Sequence, residues 1–330
     1  MSDFVGRQIE AGVALEETRG TAETVAEKWF KKVNATVVER AQKVIDDATR
    51  GRLEDSDGSR VVRKWVEGDL EGIVHADAIG YLFLNLYGSV NTSTVSGQIK
   101  DHVFNVDQEV THPSLTFFAK DGSAQQCTYS GAMVNTLELT ATTDEYVRFT
   151  AAFMAREGAS NADSPTYATT EYDFIGRDIT VKMAASVAGL GAAQAIKAKS
   201  ITITFDQGLI ADHVFGQYGP QDVINTQMAI TGEMTLNFTD TTYKDLFLAD
   251  TAKVMQLVIE GAADLGSGNH PTITLLLYKV QVQDWNREGA ASDLVTQTVS
   301  FKAFYSASDS KQSQLTLRNL TAEYDEPVSD

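Results

Sequence analysis

Apolar and polar residues alternate with a period of two along most of the chain, which is the pattern of β-strands with one buried face. Val61–Val74 shows this pattern with Trp65 near its centre, and Glu145–Arg156 shows it with Phe149 and Phe153 on one side. Further strands are predicted at His102–Val110, Ser114–Lys120, Thr128–Thr142, Thr166–Ala185, Thr226–Phe238, Thr272–Asp284, Leu294–Tyr305 and Gln312–Tyr324. The chain is therefore expected to be mainly β.

Two short stretches have the helical period of apolar residues instead. In the first, Asp77 is the expected N-cap and Gly88 the expected C-terminal stop. Its apolar positions are Ile79, Leu82, Phe83 and Leu86. In the second, Asp240 or Thr241 is the expected cap, and the apolar face consists of Tyr243, Leu246 and Phe247. Each pattern predicts one short helix that covers a sheet and has one solvent-exposed side.

The two helical stretches belong to a longer internal repeat. Gly68-Asp69-Leu70 matches Gly232-Glu233-Met234, and Leu82-Phe83-Leu84 matches Leu246-Phe247-Leu248 at the same separation along the chain. Further matches follow in the same order, namely His112–Thr116 with His270–Thr274, Phe153 with Phe301, and Gly176–Thr180 with Leu317–Thr321. The preserved order favours two copies of one folding unit. The alternative is a pair of unrelated β-rich halves.

The repeat predicts the domain organisation. The expected parts are an extended N-terminal arm at 1–26, a first copy at 27–184, a linker of small residues at 185–195 and a second copy at 196–325. Residues 36–48 fit either a helix or a strand, and alignment of this region with 196–212 favours a strand. Residues 50–60 are interpreted as a charged loop.

Bulk composition excludes several classes of protein. A net charge of −18 argues against a surface that grips nucleic acid, because phosphates are held by lysine and arginine. Cys127 is the only cysteine, so no disulfide forms within the chain. Met1–Gly12 lacks the apolar core of a signal peptide, and no apolar run approaches the roughly 18 residues of a membrane helix. We expect a protein without membrane insertion whose fold depends on its core and its assembly.

No set of residues has the spacing of a catalytic, cofactor-binding or metal site. Asp55–Gly58 resembles the start of a calcium loop without its later ligands, and Gly189–Gly191 lacks the third glycine of a dinucleotide loop. His112 and His270 precede proline at matching positions, where a turn is favoured over a shared metal site. Four other candidates are interpreted as packing residues: Cys127, Trp29, Trp65 and Trp285. We expect neither an enzyme nor a cofactor.

A set of stretches carries a family resemblance. They are Trp65–Gly72, Asp77–Leu82, His102–Phe104, Pro113–Thr116, Tyr129–Asn135, Ile230–Leu236, Asp240–Tyr243, Asp293–Phe304 and Arg318–Leu320. Together they resemble the tail tube proteins, or major tail proteins, of long-tailed bacteriophages. The likeness extends over about 20–325, and its motifs are structural rather than catalytic.

The resemblance implies a fold and a function. The fold would be two tandem tail-tube-like β-sandwich or barrel domains, each with one short flanking α-helix. The protein would be a structural subunit of the virion tail, assembled in the host cytoplasm into stacked rings around a channel for DNA. Three two-domain chains would make a pseudo-sixfold ring, whereas single-domain relatives use six chains. Implied partners are other copies of the chain and the tape measure, tail terminator and distal tail proteins. Double-stranded DNA would pass through without specific binding.

Two alternatives stay open at this point. One is the inner tube of a contractile injection system or tailocin, which a co-purifying sheath protein would favour. The other is an acidic two-domain β-rich surface or binding protein. Rings or tubes in negative-stain micrographs would favour a tube subunit over a binding protein, because ring closure pairs the strand edges that a solitary sheet leaves exposed.

Overall fold

The computed structural model describes residues 5–47, 51–56 and 58–325. They form a mainly β fold with two short helices, which confirms the predicted fold class. The helices are α1 (Ile79–Tyr87) and α2 (Thr242–Leu248). The strands are β1 (Ile9–Leu15), β2 (Lys28–Trp29), β3 (Val33–Ile45), β4 (Ser59–Ile73), β5 (Gly88–Ser96), β6 (Ile99–Val106), β7 (Leu115–Asp121), β8 (Gln125–Thr142), β9 (Arg148–Ala155), β10 (Gly158–Ser160), β11 (Ile179–Ala184), β12 (Ala195–Ile196), β13 (Ala198–Asp206), β14 (Ile210–Asp212), β15 (Asp222–Ile224), β16 (Ala229–Asn237), β17 (Lys253–Glu260), β18 (Thr272–Glu288), β19 (Thr296–Ala303) and β20 (Ser313–Asn319).

Eight strands form one antiparallel sheet that runs through both halves of the chain. Its order is β3-β4-β9-β8-β13-β16-β19-β18. The first four strands come from the first half and the last four from the second. The pairing of β8 with β13 is therefore a joint between the two halves, and we call it the internal joint.

The other strands build a second layer over this sheet. In the first half, β1 pairs with β7, and β7 pairs with the first part of β8. In the second half, β11 pairs with β17, and β17 pairs with the first part of β18. On its other side β18 pairs with β20, and the sheet continues through β6 to β5. The layers meet across an apolar core, where the rings of Phe117 and Phe153 lie 4.3 Å apart.

The strand registers of the two halves correspond. The matched rows are Val37–Gly68–Phe153 in the first half and Ile203–Gly232–Phe301 in the second. A Cβ atom on Gly68 would overlap a phenylalanine ring and lie 2.7 Å from the Thr36 carbonyl oxygen. On Gly232 it would meet the equivalent ring and lie 2.8 Å from the Thr202 oxygen. The same lack of space explains both glycines.

The N-terminal residues correct two matches in the predicted repeat. The turn Gly6–Gln8 leads into β1, and the turn Gly176–Asp178 leads into β11. Because β1 pairs with β7 as β11 pairs with β17, Gly176–Thr180 is the equivalent of the chain's own beginning. Its predicted match with Leu317–Thr321 is wrong, since those residues belong to β20 and pair with β18 and β6. The predicted match of His112–Thr116 with His270–Thr274 is also wrong, since these stretches lead into β7 and β18, whereas the equivalent of β7 is β17.

The described part of the expected N-terminal arm contains a strand of the fold. β1 pairs with β7 along its whole length, and Ala11, Val13 and Leu15 are buried. Alternation was hidden here because Ala11 and Ala14 are small and both sides of the strand are covered. Residues 9–15 thus support the core of the first half.

Helix α1 differs from its prediction. All of its residues are buried, so the expected solvent-exposed side does not exist. The ring of Tyr324 covers Gly80 so closely that a Cβ atom would overlap it. Asp77 is not the N-cap; Ala78 holds that position without a side-chain hydrogen bond. Gly88 ends the helix as predicted, with a φ of 84°.

Helix α2 is close to its prediction. Tyr243, Leu246 and Phe247 are half-buried against the core. The carboxylate of Asp240 accepts a hydrogen bond from the Thr242 N–H at 2.9 Å, which satisfies one free donor of the first turn. This helix therefore has the predicted covered side and the predicted exposed side.

Other element predictions hold in part. Val33–Ile45 is a strand paired with β4, as the alignment favoured; residue 48 lies outside the described residues. Of Thr166–Ala185, only Ile179–Ala184 is a strand. β5 and β17 were not predicted. β5 is rich in Ser and Thr with few apolar positions, and it follows α1 without an intervening turn.

Candidate functional surface

The eight-stranded sheet has one core face and one polar face. Since residues opposite each other in register share a face, the rows can be read across the sheet. Leu70, Leu137, Ile203 and Val299 are buried on the core face. The polar face carries the carboxylates Glu67, Asp69, Glu71, Glu138, Asp206, Glu233, Asp284 and Glu288, and the cations Arg40, Arg63, Arg148 and Lys302. Threonine is the commonest of its other residues.

Carboxylates outnumber cations on the polar face, so its potential is negative. One pair is partly neutralised where Arg40 Nε lies 3.0 Å from Glu67 Oε2. The indole N–H of Trp65 donates to Glu67 Oε1 at 2.8 Å. The hydrogen bond from Trp65 and, to a smaller extent, the one from Arg40 hold the pKa of Glu67 below its ordinary value and keep this carboxylate ionised. The negative potential of the face repels a polyanion.

The polar face ends at two unpaired strand edges. In the described part of the chain, β3 pairs with β4 alone, and residues 281–288 of β18 pair with β19 alone. Helix α2 lies against β18, where Lys244 Nζ is 5.8 Å from the centre of the Trp285 ring. Unpaired backbone donors and acceptors of this kind favour pairing with another strand.

The internal joint shows how such edges pair in this protein. Thr136–Thr142 of β8 pairs with Ser200–Asp206 of β13 without a register shift. Beyond the strands, the Thr143 N–H donates to the Lys199 oxygen at 3.2 Å, and the Gly176 N–H donates to the Glu145 oxygen at 2.8 Å. The turn between β8 and β9 thus rests against the turn that precedes β11.

Close contact at the internal joint requires glycine at 176. A Cβ atom there would overlap the carbonyl oxygen of Thr142. Gly6 is its equivalent before β1, and apart from its chain neighbours a Cβ atom on Gly6 would have no heavy atom of the described residues within 4 Å. Gly6 borders a cleft of about 940 Å³ lined also by Arg7, Lys31, Lys32 and Lys120. We call it the N-terminal cleft.

The residues considered for chemistry in the sequence are dispersed. His112 is buried, with its ring nitrogens near the Asn85 and Asp107 carbonyl oxygens at 3.3 and 3.2 Å. His270 lies at the surface with Nδ1 2.8 Å from the Ala263 oxygen. Each lies just before a strand, His112 before β7 and His270 before β18. Asp57 of the calcium-like stretch lies outside the described residues.

The remaining candidates take structural positions. Cys127 and Trp29 are buried, and Trp285 packs at the edge of the core with its indole N–H donating to Gln297 at 2.8 Å. Gly189 ends a single 3-10 turn. Over the described ranges, no group of three or more His, Cys, Asp and Glu side chains is placed to hold a metal ion. None of the described helices is long and apolar enough to cross a membrane.

A buried polar cluster was not indicated by any sequence pattern. His75 follows β4, and its Nδ1 lies 2.6 Å from Asp173 Oδ1 while its Nε2 lies 3.6 Å from Glu171 Oε2. Lys32 reaches Asp173 at 2.6 Å, and Lys28 reaches Glu171 at 3.7 Å. Burial lowers the pKa of His75, and the two carboxylates oppose this shift. The cluster anchors the segment that leads into the Gly176 turn.

The comparison with protein families decides the assignment. The family model described as phage tail tube protein matches residues 6–303. The chain belongs to this family. Its matched range begins at the turn before β1 and ends with β19. A phage tail tube protein is a structural protein of the virion tail that associates with its own copies, so the polar face and its edges are read as assembly features.

Similarity beyond the family model is remote. No curated protein matches the chain. Among solved structures, the chain is similar to the tail tube of SPP1, determined by solid-state NMR and cryo EM. The identity is 10%, the TM-score is 0.33, and the match covers 45% of this tail tube protein and 81% of the SPP1 chain.

Proposed function

We propose that this tail tube protein forms rings of three chains that stack into the tube of a phage tail and enclose a channel for double-stranded DNA. The observation that carries the proposal is the eight-stranded sheet with two free edges. Each chain has one free edge from β3 and one from β18, so copies can join head to tail. Such heterologous joints close into a ring when the rotation between copies is a whole fraction of a turn.

The number of chains follows from the two halves. If each half is one unit and the internal joint sets the rotation between units, a sixfold arrangement of units contains three chains. Three sheets of eight strands make a barrel of 24 strands. With about 4.8 Å between strands, the barrel is roughly 40 Å across between backbones. This width leaves room for a hydrated duplex.

The polar face of the sheet would line this channel. Its carboxylates repel phosphate groups, and at ordinary salt the repulsion extends over only about 10 Å. DNA is therefore kept off the wall without being blocked. The threonine side chains between the charges give the wall a hydrated surface. No cluster of cations on this face would hold the duplex in place.

The structural correspondence also suggests where the two units begin. We assign the first unit to start at the Gly6 turn and the second at the Gly176 turn, instead of at 27 and 196. Residues 161–175 then connect the units. The exposed end of the β3–β4 hairpin, including Val44 and Ile45, projects from the sheet and is proposed to reach the next ring.

The tail tube assignment brings further proposed partners. A tube of this kind would end on a tail terminator and on distal tail proteins, and it would enclose a tape measure protein during assembly. These contacts would form in the host cytoplasm, before the tail is part of a virion. The acidic polar face is the surface on which the tape measure protein would lie.

Particle size and shape test the proposal directly. Purified protein at high concentration is expected to form rings or stacked tubes in negative-stain micrographs. Light scattering or native mass spectrometry of single rings is expected to give three chains. Dispersed monomers at high concentration would contradict the tube function. Rings of six chains would contradict the pseudo-sixfold arrangement.

A further inference from the structure

We propose that the joint between neighbouring copies repeats the internal joint residue by residue. In this arrangement, residues 284–290 of one copy pair with 34–40 of the next, and the turn 289–295 enters the N-terminal cleft. The proposal rests on the proposed function, because it applies to copies that meet edge to edge. It specifies the register of the paired strands, the position of the 289–295 turn in the N-terminal cleft and the role of Gly6.

The register follows from the equivalence of β8 with β18 and of β13 with β3. β8 has a bulge between Val134 and Thr136, and β18 has one between Val282 and Asp284. Both bulges lie beside the row of the equivalent phenylalanines, so the two long strands align without a gap. β3 and β13 align through their matched glycine rows.

Transferring the pairs of the internal joint gives the pairs between copies. Within the chain, Thr136 lies opposite Asp206, Glu138 opposite Thr204, and Thr140 opposite Thr202. The equivalent pairs between copies are Asp284 with Arg40, Asn286 with Val38, and Glu288 with Thr36. A carboxylate thus meets a guanidinium at the first pair, where opposite charges favour the register.

The side chains of this pair are available. Arg40 has 51% of its side chain exposed beside Glu67, and Asp284 is exposed. A slip of one residue between copies would place Trp285, which lies on the core face opposite Val299, against Arg40 of the polar face, so the faces of the two copies would not match. Register is therefore specified by the alternation of both strands and by the charge pair.

The N-terminal cleft is the equivalent of the site that holds the β8–β9 turn. In the internal joint that turn donates a hydrogen bond to the Lys199 oxygen and accepts one from the Gly176 N–H. Between copies, the Ala291 N–H would donate to the Val33 oxygen, and the Gly6 N–H would donate to the Asp293 oxygen. Asp293 would enter a cleft that contains Arg7 and Lys31, so these charges are complementary; Lys120 in the same cleft is paired with Glu10 at 2.8 Å.

The 289–295 turn exposes apolar side chains that a neighbouring copy would cover. Val147 at the end of the β8–β9 turn is 1% exposed, whereas its equivalent Val295 is 37% exposed. Leu294 beside it is 66% exposed. Burial of these two side chains in the neighbouring cleft would remove apolar surface from water.

A paired-cysteine experiment tests the register. Val38→Cys with Asn286→Cys is expected to give covalent dimers and closed trimers when assembled tubes are oxidised. The matched positive control is Glu138→Cys with Thr204→Cys, which occupies the equivalent pair of the internal joint and is expected to bond within one chain. The slipped control is Val38→Cys with Glu288→Cys, which is expected to cross-link at least tenfold less. Cys127 is buried and common to all variants.

The outcomes separate the two proposals. Tubes that form but cross-link only through the slipped pair, or through neither pair, would overturn the register and leave the tail tube function intact. Protein that forms no rings or tubes before any substitution would instead overturn the proposed function.

A second variant tests whether the 289–295 turn of the neighbouring copy occupies the N-terminal cleft. The Cβ atom of Gly6→Val has space among the described residues of the single chain, so the thermal unfolding of this variant is expected to match that of the wild type. Its tubes are expected to be lost, because the side chain would occupy the position of the neighbouring turn. Gly191→Val is the matched control, since it also has no heavy atom within 4 Å. Normal tube assembly by the Gly6→Val variant would overturn this part of the proposal.

Discussion

Gly176 is the residue at which the internal joint is most sensitive to added volume. A methyl group there overlaps the Thr142 carbonyl oxygen, which belongs to the backbone and cannot rotate away. We expect Gly176→Ala to lower the free energy of unfolding by about 1–3 kcal/mol, as overpacking does elsewhere. Chemical denaturation measures the change.

The other glycines of the chain provide the comparison. Gly6→Ala and Gly191→Ala place a methyl group in open space, so their unfolding free energies are expected to stay within about 0.5 kcal/mol of the wild type. A Gly176→Ala variant as stable as these two would show that the joint is looser than its contacts indicate.

His102 makes stability depend on pH. Its ring is fully buried between Thr92, whose hydroxyl lies 2.9 Å from Nδ1, and Asn319, whose Oδ1 lies 3.0 Å from Nε2. Burial lowers the pKa of His102, although its hydrogen bonds oppose this shift. The unfolded chain therefore binds the proton first as pH falls through about 6.5. We expect the free energy of unfolding to decrease from pH 7 to pH 5.

A substitution tests whether His102 causes this pH dependence. His102→Gln removes the titrating group and is expected to make the dependence on pH shallower, whatever its own effect on stability at pH 7. Denaturant titrations of both proteins at several pH values give the two slopes. Equal slopes would mean that other groups are responsible.

Strand β1 is the element whose role the sequence pattern concealed. It covers the edge of β7 and buries Ala11, Val13 and Leu15. A chain that begins at Glu16 is expected to be insoluble or to lose cooperative unfolding, because the core of the first unit opens. A chain that begins at Gly6 keeps β1 and is expected to unfold like the full chain. Soluble yield and circular dichroism on heating distinguish them, and a folded chain starting at Glu16 would contradict a structural role for β1.

Elements were predictable from sequence where one side faces water. The alternation in Val61–Val74 and Leu294–Tyr305 identified β4 and β19, and the half-covered α2 was identified with its cap. α1 was located correctly, yet its burial was not, since its polar-looking side is covered by Tyr324 and β1. That cover comes from distant parts of the chain, which a local period cannot show.

The repeat was predictable only in part for a related reason. Gly68, Gly232 and the two phenylalanines stood out because a packing constraint preserves them in both halves. A stronger match lies outside the predicted repeat: Asp3-Phe4-Val5-Gly6-Arg7-Gln8-Ile9 shares the runs Asp-Phe and Gly-Arg with Asp173-Phe174-Ile175-Gly176-Arg177-Asp178-Ile179. These short identical runs are the sequence signal for the equivalence of the two turns. The polar face and the internal joint could not be predicted from the sequence. Both depend on the register between strands, which the residue pattern of a single strand does not reveal.

The charge of the polar face is a property of the whole assembly. Glu138→Lys with Glu233→Lys reverses charge on one strand of each unit without touching the core. Tubes of this variant are expected to retain duplex DNA at low salt and to release it as salt is raised. Glu138→Gln with Glu233→Gln is the control and is expected to retain much less. Electrophoretic mobility of DNA mixed with tubes measures retention.

The result would locate the face in the tube. Retention by the lysine variant alone would support a channel lined by this face. If the tubes of the lysine variant are intact but retain no DNA, these side chains do not line the channel.

The hairpin β5–β6 occurs once in each chain, because α2 is followed by β17 after only 249–252. The bore of a ring would therefore repeat about every 60°, while its outer wall would repeat about every 120°. A protein that binds such a tail from outside would have three equivalent binding positions per ring. A molecule inside the channel would meet six similar units per ring.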